Sequence, residues 1–390
     1  MIQNRWAILF ALFVARTALA LQFQSVGSAA PFLIAAFAID YASIGLLIGL
    51  HSLPGIAIAI PGGVIGQRFG AKRVALVGLA LMTLGGVIMG FGPSFVWLAV
   101  GRTMLGTGAV LFNVLATKMI TDWFAGREIA TAMGTFVSSW PLGIALGLVV
   151  FGPLGSAYGW SAVMHVSTVC VIAGFAVVAL AYRDPPGTPP AGPARLRLDL
   201  DRREWTLVCI AGAIWALFNV GYIVLVSFGS ELFTQRGYSL TQASFLMSLV
   251  GWTLIPAIPL ASFVAERSGR PRVALLSAFI ILALALAILP FIEGIAFLAT
   301  FAIIVLTNGV PPGLVMALPA QSLRAETRAG GMGVYYAWYY AGMAFLPGGA
   351  GLARDVTASA AAPILFAAAM MASCVVALIL FNTAQRSLKQ

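Results

Sequence analysis

Long apolar runs separated by short polar breaks occupy almost the whole chain. Each run is long enough to cross the hydrocarbon core of a bilayer, which takes about 20 residues of helix. With 42 glycines and 20 prolines the chain would interrupt regular strands, so the runs favour helices. Twelve runs are visible, at about 6–36, 43–66, 74–92, 95–120, 129–152, 157–182, 205–232, 241–264, 273–291, 294–319, 330–352 and 357–381. The pattern predicts an all-α integral membrane protein with twelve transmembrane helices.

The composition agrees with this fold class and excludes several functions. Hydrophobic residues fill 61% of the 390 positions and charged residues only 9%, against about 25% in soluble proteins. Too few polar side chains remain to cover a soluble globule, which excludes a cytosolic enzyme, a nucleic-acid-binding protein and a secreted domain. The net charge of +10 comes from basic residues that are spread thinly between the spans, so it does not indicate nucleic-acid binding. Three cysteines lie in apolar runs without metal-ligand spacing, so no metal and no cofactor are expected.

One polar break differs from the others and divides the chain. Positions 183–204 contain five prolines and five arginines, a composition typical of a flexible linker. We expect an N-terminal six-helix bundle at 1–182, a cytoplasmic linker at 183–204 and a C-terminal six-helix bundle at 205–390.

The distribution of Lys and Arg predicts the orientation in the membrane. Eighteen of the 22 basic residues fall on one side if the N-terminus is inside, and such residues concentrate in cytoplasmic segments. The first apolar run is too long for a signal peptide and is expected to be retained. The sequence therefore predicts a multi-pass protein of the cell inner (plasma) membrane with both termini cytoplasmic.

The two halves repeat at an offset of 199 positions. The segment 63–76 then lies over 262–275, with matching arginines, a matching glycine and a shared Arg-Val-Ala-Leu ending. The same offset places Met133-Gly134 on Met332-Gly333 and Gly143 on Gly342. A single offset that serves distant motifs indicates two pseudo-symmetric bundles, with a substrate path between them.

These motifs resemble those of the major facilitator superfamily of secondary transporters. The loop after the second span matches the family's Gly/basic signature, although Gln67 replaces the usual Asp, and the second copy carries an acid, Glu266. The resemblance implies cytoplasmic gating by Arg68, Lys72, Arg73, Glu266, Arg267 and Arg270. In the fourth span Arg102, Gly106 and Gly108 match a structural signature. In the fifth span Leu148 replaces the proline of exporters.

Arg16 is the principal candidate for substrate binding. It lies about ten residues into the first span, or about 15 Å, which is near the middle of the bilayer. A guanidinium there costs at least about 2.5–3.5 kcal/mol unless it faces water or an anion. All 12 acidic residues fall in loops or near span ends, so we expect a substrate anion to be its partner. The alternative is a structural arginine that binds backbone carbonyls.

Other polar and aromatic residues share the predicted substrate path. In this superfamily the first, fourth, seventh and tenth spans line the cavity, and the chain has candidates on these spans and the eleventh. Each has an alternative role in packing or interhelical hydrogen bonding. They are Phe23, Gln24, Asn113, Trp215, Asn219, Tyr222, Asn308, Tyr336 and Tyr339. His51 is a candidate for proton coupling, and its alternative is a neutral packing histidine.

The sequence therefore predicts a monomeric transporter of a small monovalent anion that works by alternating access, in secondary active or facilitative mode. Arg16, followed by the segment 24–27 and Pro31, resembles the cyanate and nitroimidazole transporter branch. Two alternatives stay open: a proton-coupled exporter of amphipathic drugs, and a transporter-like receptor that moves nothing. No membrane-embedded carboxylate is visible for the first. The paired gate motifs disfavour the second. No catalytic motif indicates an enzyme.

Overall fold

The computed structural model describes residues 4–124, 128–185, 200–319, 322–324 and 327–387, and no strand occurs in these ranges. A short 3-10 helix, Leu289–Phe291, follows α10. The α-helices are α1 (Arg5–Phe37), α2 (Tyr41–Leu50), α3 (Leu53–Ile58), α4 (Gly62–Phe69), α5 (Ala71–Phe91), α6 (Phe95–Phe124), α7 (Ile129–Ala181), α8 (Arg202–Thr234), α9 (Leu240–Arg267), α10 (Pro271–Ile288), α11 (Gly294–Thr307), α12 (Pro311–Met316), α13 (Arg328–Thr357) and α14 (Ala361–Ser387).

The helices account for the twelve predicted spans. Ten stretches of the described residues are long and apolar enough to cross a membrane. One of them, within α7, is two helices joined at Gly159, whose φ of 81° departs from helical geometry. The 30-residue helix α13 lies outside those ten and supplies the remaining span. The second span is itself divided into α2, α3 and α4, with Pro54 and Pro61 near its interruptions.

The chain divides into two compact units. Unit 1 contains Met1–Ile39 and Leu50–Leu196, and unit 2 contains Asp40–Gly49 and Arg197–Gln390. The first half of the second span therefore packs with the C-terminal helices. Most of the predicted linker, positions 186–199, lies outside the described residues. The predicted domain boundaries stay a prediction.

The 199-residue repeat is visible in the helix geometry. Helices α6 and α11 begin 199 positions apart, and so do α7 and α13. Gly70 and Gly269, at the same offset, have φ angles of 89° and 66°. Glycine adopts this left-handed conformation without steric cost, so both halves turn in the same way before their third span.

Glycines allow α6 to pack closely in unit 1. A Cβ at Gly108 would lie 2.1 Å from the carbonyl oxygen of Gly78 on α5, and one at Gly101 2.6 Å from that of Gly85. A Cβ at Gly106 would lie 2.1 Å from the oxygen of His51. Small residues let membrane helices approach to backbone contact. This geometry gives a physical reason for glycine at the Gly106 and Gly108 positions of the fourth-span motif.

Candidate functional site

Arg16 is held in place by two neutral oxygens of unit 1. Its Nε donates to Asn113 Oδ1 on α6 at 2.9 Å, and its Nη1 donates to the carbonyl oxygen of Phe136 on α7 at 2.8 Å. The side chain is half-buried. These bonds fix the plane of the guanidinium, because each uses a different edge of the rigid fork.

Two aromatic rings complete the environment of Arg16. The guanidinium carbon lies 4.5 Å from the centroid of the Phe136 ring and 6.0 Å from that of Trp140. Both distances fall within cation–π range. Neither residue is among the site residues predicted from the sequence. The internal repeat could have identified them, because the offset of 199 positions aligns Phe136 with Tyr335 and Trp140 with Tyr339 of α13.

Arg102 has a different environment from Arg16. Its side chain has 0% exposure, and its Nη1 and Nη2 donate to the carbonyl oxygens of Gln22 (3.3 Å) and Phe23 (2.8 Å) on α1. The guanidinium carbon is also 5.2 Å from the Phe23 ring centroid. The geometry is that of an interhelical clamp and agrees with the predicted structural role, which stays a prediction.

Phe23 joins the environments of the two arginines. Its ring centroid lies 5.4 Å from that of Trp140 and 4.8 Å from that of His51. His51 is 5% exposed, sits at the interruption between α2 and α3, and its Nδ1 has no hydrogen-bond partner within the described part of the chain. A proton on this ring would add a positive charge beside Arg102, which favours the neutral packing alternative. Gln24 faces α7, where its Cβ would lie 3.1 Å from a Cβ added at Gly147.

In unit 2 the predicted aromatic residues form a stack between α8 and α13. Trp215 lies 6.4 Å from Tyr335 and 6.1 Å from Tyr339, measured between ring centroids. Tyr336 contacts Tyr335 edge to face at 5.5 Å. Trp338, by contrast, is 45% exposed. The structure thus brings Trp215, Tyr336 and Tyr339 together and separates Trp338 from them.

The three remaining candidates of unit 2 differ in how far their polar groups are satisfied. Asn219 Nδ2 donates to the carbonyl oxygen of Trp215 one turn earlier, at 2.7 Å. The Tyr222 hydroxyl and Asn308 Nδ2 are buried, and neither has a hydrogen-bond partner among the described residues. Asn308 ends α11 where the tenth span is interrupted before α12. A buried donor without a partner costs free energy, so both positions favour a ligand or water.

A sequence model of the Major Facilitator Superfamily matches residues 9–347 and 220–390, which together cover nearly all of the chain. The chain belongs to the Major Facilitator Superfamily. Members of this superfamily are membrane transporters and not enzymes, so the predicted fold class and the non-enzymatic function are confirmed.

Individual relatives give the superfamily assignment more detail. The hexuronate transporter of Bacillus subtilis (strain 168) is 25% identical over 264 residues, which is 65% of this chain and 62% of that protein. The probable galactarate/D-glucarate transporter GarP of Escherichia coli (strain K12) is 29% identical over 144 residues, 35% of this chain and 32% of that one. The matched part therefore spans less than two thirds of either relative.

A solved structure confirms the fold. A bacterial homolog of the human lysosomal transporter Spinster superposes with a TM-score of 0.76 at 18% identity, covering 100% of this chain and 98% of that one. At this identity the likeness concerns the fold alone. The chain is thus a multi-pass membrane transporter of the superfamily.

In the superfamily's loop motif Lys72 makes hydrogen bonds to another helix. Lys72 Nζ donates to the carbonyl oxygens of Ala179 (2.9 Å) and Tyr182 (2.7 Å), at the C-terminal end of α7. A cation at that position stabilises the helix end. The other basic motif residues with described side chains are exposed: Arg68, Arg73, Arg267 and Arg270. The side chains of Gln67 and Glu266 lie outside the described set, and the gating role of the motif stays a prediction.

Two ion-pair clusters of unit 2 were not predicted from the sequence. Glu204, at the start of α8, accepts hydrogen bonds from Arg324 Nη2 at 2.9 Å and Thr327 Oγ1 at 2.5 Å. Glu231, near the end of the same helix, pairs with Arg354 of α13 at 2.6 Å. The partners are separated by more than 100 positions, so no local pattern connects them.

Proposed function

We propose that this chain is a secondary transporter that moves a small organic anion with a single carboxylate by alternating access, with Arg16 as the substrate's counter-ion. Sugar acids such as hexuronates are the substrate class that we favour. The observation that carries the proposal is the environment of Arg16, a half-buried guanidinium in the middle of a span that donates to neutral oxygens of Asn113 and Phe136 and lies against the Phe136 and Trp140 rings. The similarity to a hexuronate transporter supports this class, and the similarity to a galactarate/D-glucarate transporter, whose substrates carry two carboxylates, supports sugar acids more broadly.

The contrast between the two span arginines supports a monoanion. Arg102 is fully buried and donates to two carbonyl oxygens of α1. Backbone oxygens of unit 1 therefore stabilise its charge. Arg16 is only half-buried and retains contact with solvent-accessible space. One accessible guanidinium matches one carboxylate, since each further buried substrate charge would need its own partner. We propose Asn113 as an amide beside the carboxylate, and Phe23 and Gln24 as further substrate-binding residues of unit 1.

The polar groups of unit 2 fit a hydroxylated substrate. The Tyr222 hydroxyl and the Asn308 amide are buried donors that a sugar hydroxyl would satisfy. Trp215, Tyr336 and Tyr339 supply aromatic faces, and such faces pack against the apolar C–H surface of a sugar ring. We propose these residues, with Asn219, as the substrate-binding residues of unit 2.

The remaining properties follow from the sequence predictions. We propose the cell inner membrane as the location, both termini cytoplasmic, a monomer, and gating by the loop motifs of the two halves. The similarity to the cyanate and nitroimidazole branch stays a prediction. Of the two roles considered for His51, we favour neutral packing over proton coupling.

Ligand-induced stabilisation of the purified chain tests the proposal. A ligand that binds the folded state stabilises it by RT ln(1 + [L]/Kd). We expect D-glucuronate or D-galacturonate to raise the melting temperature, and D-glucarate, cyanate and nitrate to do so less. Arg16→Ala should abolish the shift without loss of folding, whereas Arg5→Ala on the same helix should keep it. Arg16→Ala protein that misfolds, or that binds as the wild type does, would contradict the counter-ion role.

Counterflow in liposomes separates the transporter from its alternatives. A transporter exchanges internal unlabelled for external labelled D-glucuronate, and a receptor shows binding without exchange. A drug exporter should instead be stabilised by amphipathic cations and respond to none of the acids.

A further inference from the structure

Arg203, in the first turn of α8, has a buried guanidinium nitrogen without a partner. No hydrogen-bond acceptor reaches its Nε atom among the described residues. Two carboxylates beside it in the sequence are directed elsewhere, since Glu204 accepts hydrogen bonds from Arg324 and Asp201 caps α8 and lies 3.8 Å from Arg324. A buried cationic donor without an acceptor costs free energy, so the position favours an anion.

Two contacts fix how α8 and α14 run along each other. A Cβ added at Gly221 of α8 would lie 3.3 Å from the carbonyl oxygen of Ala367 on α14. The Cys374 Sγ atom of α14 lies 3.7 Å from the carbonyl oxygen of Ile214 on α8. The two contacts are about two turns apart on each helix, in opposite chain directions. The helices are therefore antiparallel and in a defined register.

This register brings Arg203 opposite Gln385. Each lies about three turns beyond the contact of Ile214 with Cys374, which returns it to nearly the same face of its helix. Gln385 ends the buried stripe of α14 and is only 6% exposed. Its Oε1 atom accepts a hydrogen bond from Nη2 of Arg272, at the start of α10. Two arginines of different helices thus flank Gln385.

The positive charge at this end of unit 2 is not balanced by ion pairs. Arg386, near the end of α14, is exposed, and so is Arg272. Within the described ranges no carboxylate forms an ion pair with Arg203, Arg272 or Arg386, which together are the basic cluster. The first half of the chain differs, because the offset of 199 positions places Asn4 at the position of Arg203. The cluster is therefore not a consequence of the internal repeat.

The basic cluster adjoins apolar surface that faces the membrane. Trp205 is exposed at the same end of α8, and tryptophan favours the boundary between membrane and water. Exposed apolar side chains begin beside the cluster and continue along α10 and α14: Val273, Val376, Ile379 and Leu380. A ligand that fits both surfaces has an anionic head and hydrocarbon chains.

We propose that the basic cluster and Gln385 bind the headgroup phosphate of an anionic phospholipid, whose acyl chains lie against α10 and α14. The guanidinium fork matches phosphate oxygens, and Arg203 supplies the buried contact. Basic pockets between membrane helices hold such headgroups. A zwitterionic headgroup fits less well, because its ammonium would enter a site where the described residues offer no free carboxylate.

The ligand class that we favour is a phosphodiester without an amine, such as phosphatidylglycerol. The site lies within unit 2 and depends neither on Arg16 nor on the transported substrate.

Native mass spectrometry of the purified full chain tests the proposal, because it counts bound lipids and gives the Kd of the first. We expect phosphatidylglycerol to bind at least about tenfold more tightly than phosphatidylcholine with the same acyl chains, which is the worth of one charged hydrogen bond. Arg203→Ala should remove most of this preference. Arg203→Lys keeps the charge without the fork and should retain only part of it. Arg202→Ala is the matched control, since it removes the same charge from the exposed neighbouring position and should keep the preference.

Three results would overturn the proposal. The first is equal affinity of the wild type for the two lipids. The second is an equal loss in Arg202→Ala and Arg203→Ala, which would indicate diffuse surface charge. The third is displacement of phosphatidylglycerol by millimolar inorganic phosphate or glycerol 3-phosphate, which would indicate a site for a free anion. If Arg203→Ala does not fold, Arg203→Lys and Arg272→Ala decide, and both should weaken the preference.

A photoreactive phosphatidylglycerol locates the site. We expect cross-linked peptides from 200–207, 270–276 and 376–387, and loss of this labelling in Arg203→Ala. Labelling that lies outside these segments, or that persists unchanged in the variant, would also overturn the proposal.

Discussion

Replacing Asn113 by aspartate would give Arg16 a permanent anionic partner at the position where the substrate carboxylate is proposed to act. The Asn113 Oδ1 atom already accepts the Arg16 Nε–H at 2.9 Å, so the carboxylate oxygen would occupy the same place without moving the backbone. A hydrogen bond that gains a charge is worth about 1.5–3 kcal/mol. The substrate would have to compete with that pair, so its Kd should rise roughly 10- to 150-fold.

The assay is the thermal shift with D-glucuronate at several concentrations, which reports Kd for a folded protein. Asn113→Asp should melt at or above the wild-type temperature, because an ion pair replaces a half-buried, neutral contact of Arg16. Asn113→Leu is the matched control, since it removes the acceptor without adding charge and should weaken binding by much less.

Two results would refute this reasoning. Wild-type affinity in Asn113→Asp would mean that Arg16 does not bind the carboxylate. Equal losses in the aspartate and leucine variants would mean that the Asn113 amide, and not the charge of Arg16, carries the interaction.

Three further predictions concern the surrounding structure. Arg102→Ala should lower the free energy of unfolding by about 3 kcal/mol or more, since two buried charged hydrogen bonds are lost, and a melting temperature equal to that of the wild type would contradict the clamp. Gly106→Ala should destabilise the chain by about 1–3 kcal/mol through overpacking, whereas Gly134→Ala, with nothing within 4 Å of its added Cβ, should not. His51→Gln should leave the pH dependence of uptake between about pH 5 and 8 unchanged; a flattened profile would instead support the proton-coupling alternative.

Several features of this protein could be predicted from the sequence alone. The number and bounds of the spans follow from the length of apolar runs, which is a local property. The repeat follows from matching residues at one offset, and the start of α13 at 199 positions after that of α7 agrees with it. The mid-span position of Arg16 is also local, because the rise of a helix is constant.

The partners of these residues were decided only by the tertiary structure. Phe136 and Asn113 lie 120 and 97 positions from Arg16 along the chain, and the pairing depends on how three helices are rotated about their axes. In a soluble helix the apolar stripe would reveal that rotation. Here the faces toward lipid and toward other helices are both apolar, so the sequence carries little signal for the rotation. For the same reason the position of Arg203 opposite Gln385, and the pairing of Glu231 with Arg354, could be recognised only once the helices were in place.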